Sequence, residues 1–212
     1  MKQTCTLEEI AILLNELYDG LSGHGISLAE MNAVWARGAS PLYGELTPAG
    51  VDRLGGAITP PLGLDDVFYD LGSGIGKICV QLCLGSSVGR VVGIELSASR
   101  HRQARQVHDN LRRMDLPLFE TSRLEFVQDD FLGCTMADAT VIYLCSLSYS
   151  ETLMKALARK INIECSRLRL VIAATRFAEL EWKTPPRRIL LASTWSDSVP
   201  FFYYTREIAG PP

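Results

Sequence analysis

The stretch Asp70-Leu71-Gly72-Ser73-Gly74-Ile75-Gly76 restricts what this chain can become more than any other. A short apolar run, residues 67–70, leads into it, and a helix-like apolar run, residues 77–84, leaves it. Glycines at alternate positions directly after a strand allow a tight turn into a helix and leave bare backbone for a ligand to lie against. The spacing is not that of a dinucleotide loop, because Lys77 stands where the last glycine of GxGxxG would fall, and no GK[ST] phosphate loop is present. Asp70 would repel a pyrophosphate and favour a ligand carrying an ammonium or a sulfonium.

Strands and helices alternate from there on. Arg90–Glu95 reads as a strand, and Ser97 caps a basic helix over residues 98–114. Leu124–Gln128 and Val141–Leu144 read as strands, Ser148 with Glu151 starts a helix to about residue 161, and residues 169–175 form the next strand. The end differs: two strand-like segments, 188–195 and 201–206, flank five turn residues and predict an antiparallel hairpin. Ahead of the glycine run lie three shorter helices, two of them announced by the capping boxes Thr6/Glu9 and Ser27/Glu30, the third by Thr47-Pro48. The pattern predicts an α/β protein with a doubly wound, mostly parallel, seven-stranded Rossmann-like sheet, an antiparallel C-terminal hairpin and a small N-terminal helical segment. Residues 1–60 are assigned to that helical segment and a covering loop, and residues 61–212 to the sheet domain.

Composition narrows the function classes. With 47% hydrophobic and 21% charged residues, the chain is neither disordered nor fibrous. Apolar stretches are broken well before 18 residues, so no transmembrane span is expected, and the acidic start lacks the pattern of a signal peptide. Cys5, Cys79, Cys83, Cys134, Cys145 and Cys165 form no CxxC pair and no zinc-ligand spacing, which predicts free thiols, no metal site and a reducing compartment. The net charge of −3 argues against a nucleic-acid binder. Residues 1–75 carry 3 basic against 10 acidic side chains, a surplus read as solvated helix faces. Arg100, Arg102, Arg105, Arg112 and Arg113 on the basic helix are likewise read as solvated.

Two further strand ends carry acids. Glu95 closes the second strand, where a carboxylate can accept both hydroxyls of a ribose. Asp130-Phe131 follows the third, where the carboxylate can accept an adenine amine and the ring can pack on the base. Together with Asp70 they outline an adenosine-binding edge.

In order and spacing these residues resemble the class I S-adenosylmethionine methyltransferases. Tyr43-Gly44-Glu45-Leu46-Thr47 ahead of the glycine loop sharpens the resemblance to the disruptor-of-telomeric-silencing family, the histone-lysine methyltransferases without a SET domain. The resemblance implies S-adenosyl-L-methionine as cofactor. Tyr43, Glu45 and Thr47 would close over its methionine half, and Asp70, Gly72, Ser73, Gly74 and Gly76 would form the loop holding its amino-acid end. Glu95 would take the ribose, Asp130 and Phe131 the adenine, with Cys145 completing the cofactor set. Tyr43, Tyr149, Trp195, Phe202 and Tyr203 would line an aromatic channel for the acceptor. A protein partner is implied, a histone or nucleosome first and a non-histone protein second, with a nuclear location and the cytoplasm as the alternative. Neither a membrane nor a specific nucleic-acid sequence is expected as partner. The segment Cys145-Ser146-Leu147-Ser148-Tyr149 departs from the family, which has two asparagines there, and the family's basic nucleosome-gripping extension is missing.

The implied chemistry is methyl transfer to a lysine ε-amine. That amine must be neutral, and an aromatic channel together with a nearby sulfonium disfavours the ammonium form, so no dedicated base is required. His24, His101 and His108 are read as structural or solvated. Methylation of a non-histone protein or a small molecule, and a catalytically silent binding module, stand as the competing readings.

Overall fold

The computed structural model describes residues 4–114, 123–182 and 184–206. Its strands are β1 (Val67–Leu71), β2 (Arg90–Glu95), β3 (Leu124–Gln128), β4 (Val141–Leu144), β5 (Leu170–Ala173), β6 (Arg187–Leu191) and β7 (Val199–Thr205). They form one seven-stranded sheet in the order β3-β2-β1-β4-β5-β7-β6. The first five are parallel, and β7 runs antiparallel between β5 and β6. This is the expected class: doubly wound and mostly parallel, with an inverted hairpin at the end.

Side chains alternate across the sheet because successive strand residues point to opposite faces. Phe68, Val91, Val141, Tyr143 and Ile172 face α1 (Leu7–Leu17), α3 (Pro48–Ala57), α4 (Lys77–Gly85) and α5 (Ala98–Arg113). Tyr69, Leu71, Val92, Ile142 and Val171 face α6 (Glu151–Glu164) on the other side. The N-terminal helices are not an appendage: Ile10, Leu14, Val51 and Leu54 share one continuous core with the sheet.

Both capping boxes form as read, at Thr6/Glu9 and at Ser27/Glu30, the second opening α2 (Leu28–Ala36). Two local expectations differ. The cap of α6 is Ser150, whose hydroxyl accepts from the Leu153 N–H, because the Ser148 carbonyl is taken by the Ser40 N–H at 3.0 Å. The strand expected over 188–195 ends at Leu191. Beyond it the chain leaves β7 to pair with the loop before α3: Thr47 N–H donates to the Ala192 carbonyl, and Thr194 N–H to the Glu45 carbonyl. Residues 39–47 are thereby stitched to both 148–149 and 192–194. Among the described residues, no helix is long and apolar enough to cross a membrane.

Candidate active site

β1 and β4 are neighbours whose connections leave in opposite directions, and ligands of open α/β sheets bind outside the carboxyl ends of strands at such a switch point. A cavity of about 630 Å³ opens there. Gly72, Glu95, Asp130, Phe131, Cys145 and Tyr149 line it from the sheet side, and His24, Tyr43 and Arg100 from the opposite wall. The exposed side chains of Leu42, Leu147 and Trp195 ring its mouth.

The glycine loop takes its shape from positive backbone angles. Gly72 has φ 88° and Gly74 φ 58°, conformations that side-chain-bearing residues rarely adopt. A Cβ on Gly72 would come within 2.5 Å of the Tyr149 hydroxyl, and one on Gly74 within 2.6 Å of the Tyr43 ring. The loop is tied back to β2, with the N–H groups of Gly72 and Ser73 donating to the Ile94 carbonyl at 2.8 and 3.0 Å.

Glu95 completes the tie. One carboxylate oxygen accepts from the Gly74 N–H and the other from the Ser97 N–H, both at 2.8 Å. Burial pushes this carboxyl up, opposed by the Ser97 N–H, the Arg100 charge and the Gly74 N–H. Glu95 also lines the cavity, so its carboxylate is within reach of hydroxyl donors on a ligand held there.

Asp70 lies beneath the cavity and does not line it. Its carboxylate stands 3.7 Å from the Cys79 thiol, which donates to it. Burial raises it to about 7; the thiol contact opposes this, and the negative charge of Glu95 adds to it. Cys145, next to it on the cavity wall, is pushed up to about 11 by burial and then by the Asp70 charge. The remaining members of the expected cofactor set also stand outside the open volume. The Tyr43 ring covers Gly74, the Ser73 hydroxyl is buried against Gly93, and Gly76 packs on Phe126. Glu45 accepts from the Tyr43 hydroxyl at 2.5 Å and from Lys77 at 2.6 Å, and Thr47 caps α3.

At the far end, Asp130 accepts from the Leu132 N–H with one oxygen and pairs with Arg37 at 3.1 Å with the other. The Phe131 ring lies 5.8 Å from that of Tyr149, nearly parallel to it. Tyr149 donates its hydroxyl to the Leu71 carbonyl at 3.0 Å, which fixes the ring over the glycine turn. Two carboxylates, two aromatic faces and a bare-backbone turn around one open volume suit an adenosine-bearing cation in shape and in donor set.

Of the five aromatics expected in the channel, Tyr43, Tyr149 and Trp195 line the cavity; Phe202 and Tyr203 do not. The alternation of β7 sends those two to opposite faces of the sheet, away from its rim. Tyr203 is core, paired with Ile172, and its hydroxyl accepts from the Thr59 N–H. Phe202 lies under the Arg176 guanidinium on the other face. The rim position belongs to the turn residue Trp195, packed on Gly44.

Two groups carry more than their sequence reading. Glu30 belongs to the acidic surplus of residues 1–75, yet besides capping α2 it accepts from the backbone and hydroxyl of Ser99 at 2.7 and 2.6 Å, so it serves the start of α5 as well. Burial pushes its carboxyl up, but the Ser99 and Ser27 donors win and hold it well below the ordinary range. Its contribution is therefore present above the unfolded carboxyl range and lost as pH falls toward the folded value. Replacing Glu30 by alanine removes capping from two helices, about 2 kcal/mol, and should lower the melting temperature by roughly 4–8 °C, as read by calorimetry near pH 7. Arg100 is the second: expected in solvent, it is buried. The signal was available, since Arg100, Ala104, Val107 and Leu111 fall on one helical stripe.

The sheet order, the inverted hairpin and the rim cavity define a class I methyltransferase fold. The chain belongs to the family described as "Histone methylation protein DOT1", whose profile matches residues 27–191. Among curated proteins it is 27% identical over 132 residues to a histone-lysine N-methyltransferase, H3 lysine-79 specific, of Caenorhabditis elegans, covering 59% of this chain and 14% of that protein. It is 29% identical over 91 residues to a protein-lysine N-methyltransferase of Saccharolobus islandicus, covering 43% of this chain and 52% of that one. The chain thus spans about half or less of the length of these relatives. Among solved structures, an RNA methyltransferase from Salinibacter ruber in complex with S-adenosyl-L-homocysteine superposes with a TM-score of 0.52 and 22% identity, over 76% of this chain and 94% of that one.

Proposed function

We propose that this chain is an S-adenosylmethionine-dependent protein-lysine N-methyltransferase acting on a histone. The observation that carries the proposal is the rim cavity, in which a family member holds Glu95, Asp130 and Phe131 around one open volume at the switch point. The lysine specificity draws on the family and on the two relatives named above.

When bound, the cofactor supplies an electrophilic methyl group on a sulfonium. This chain's residues bind and orient. Glu95 accepts the ribose hydroxyls, and Asp130 and Phe131 take the adenine edge and face, Asp130 exchanging its Arg37 partner for the base amine. The Gly72 turn faces the amino-acid end, with the negative charge of Asp70 beneath it and Tyr43 as the adjoining wall. Tyr149, Trp195 and Leu147 exclude water at the mouth, which lowers the proton affinity of an entering lysine amine. A neutral amine held in line then needs no base, and positioning of this kind can supply on the order of 7–11 kcal/mol.

The test is binding and then transfer. Isothermal titration with S-adenosyl-L-homocysteine decides the cofactor, and absence of binding defeats the enzyme reading in favour of a silent module. Labelled S-adenosyl-L-methionine offered with nucleosomes, free histones and non-histone proteins decides the substrate. Label on the non-histone proteins alone transfers the assignment to that class, which Cys145-Ser146-Leu147-Ser148-Tyr149 in place of the family's asparagines favours. Tyr43→Ala should cut turnover by about tenfold or more while shifting the melting temperature by only a few degrees, the loss of one buried aromatic wall contact. A fall in melting temperature that matches the fall in activity would make the loop scaffold only.

A further inference from the structure

Arg100 sits in the first turn of α5, 6% exposed, five residues after Glu95. Its Nε donates to the Gly23 carbonyl at 2.8 Å and its Nη2 to the Pro41 carbonyl at 2.7 Å, so one guanidinium joins two separate loops of the N-terminal segment. The same guanidinium lies 4.7 Å from the centre of the Tyr43 ring. Gly23, one of its two anchor points, leaves no room for a Cβ beside that ring, and His24 meets the ring edge-on at 5.3 Å. The Tyr43 hydroxyl is held independently, donating to Glu45 and accepting from the Ile75 N–H at 3.4 Å. Gln103, one turn further along α5, clamps the backbone N–H and carbonyl of Ser22, both at 2.9 Å. The first turns of α5 therefore hold this wall of the cavity by polar contacts, and only Arg100 among them reaches the Tyr43 ring.

Burying a guanidinium against carbonyl acceptors is expensive unless its geometry is used. The planar group is used here through two donors at fixed angles and one face over an aromatic ring, a combination a lysine cannot reproduce.

We propose that Arg100 is a positioning residue: it fixes the Tyr43 wall relative to Glu95 and so sets the affinity for the adenosyl ligand. This rests on the function proposed above, but part of its test does not. In isothermal titrations with S-adenosyl-L-homocysteine, Arg100→Met should raise Kd about tenfold, the loss of one desolvated stacked cation. In a Tyr43→Leu background the same substitution should change Kd by no more than about twofold, because residues that act through one another are not additive. An equal effect in both backgrounds, or none in either, overturns the proposal. Hydrogen exchange of the ligand-free protein supplies the second arm. The amides of residues 43–45 should exchange about tenfold faster in Arg100→Met while those of α6 keep their rates. Unchanged rates at 43–45, or a rise shared equally by α6, overturn it as well. Failure of the unmodified protein to bind S-adenosyl-L-homocysteine would defeat the proposed function and leave the exchange arm to decide Arg100 alone.

Discussion

Glu95→Ala should weaken binding of S-adenosyl-L-homocysteine by at least about a hundredfold. In the proposed binding mode two charge-assisted hydrogen bonds to the ribose are removed, each worth about 1.5–3 kcal/mol, and every 1.4 kcal/mol is a factor of about ten. The substitution also strips the Gly74 and Ser97 N–H groups of their acceptor. Both are buried beside the glycine turn, so some loss of melting temperature accompanies the loss of affinity. Titration of a variant with native near-ultraviolet circular dichroism separates the two effects. An affinity within fivefold of the unmodified protein in such a sample takes Glu95 out of the ligand site.

The second large effect is a pH dependence. Burial, with the Glu95 charge adding to it, raises Asp70 to about 7 in the ligand-free protein. A ligand ammonium nearby favours the ionised form and returns the carboxyl toward its ordinary value of about 3.9. Binding then requires Asp70 to lose its proton, and affinity should fall by roughly 50-fold between pH 7 and pH 5. Asp70→Asn should flatten that profile and bind weakly throughout. A flat profile in the unmodified protein shows that the ammonium does not meet Asp70. Stability runs the other way. A carboxyl whose folded value is raised contributes stability that is complete below the unfolded value and lost as pH rises through about 7. The melting temperature of Asp70→Asn should therefore exceed that of the unmodified protein by more at pH 8 than at pH 5.

Most of the scaffold was legible because its signals are local. The turn after residue 71 needs positive φ at Gly72 and Gly74, and glycine alone takes it cheaply. The capping boxes at Thr6 and Ser27 form between residues three apart, so they could be read without knowing the fold. Ser148 misled because its carbonyl is claimed by Ser40, more than a hundred residues away in the chain. The strand ending in Trp195 was read too long for the same reason, since residues 192–194 are drawn off by the loop before α3. For the aromatic channel that the resemblance implies, Phe202 and Tyr203 match in kind, but strand alternation places Tyr203 in the core and Phe202 on the other face, outside the cavity.

What the chain determined by itself is the order of the elements, the turn that ends β1 and the three acids at successive strand ends, all set by short-range geometry and by the twofold and 3.6-fold periods of strand and helix. Tertiary structure decided which of those groups share one volume. Arg100 faces Tyr43 because α5 packs beneath the N-terminal loops, and the Asp70 carboxyl is pushed up because the fold removes water from it and brings the Glu95 charge near. The helical stripe puts Arg100 on the inner face of α5, but which carbonyls and which ring it meets there, and how far water is removed from Asp70, are properties of the packed molecule.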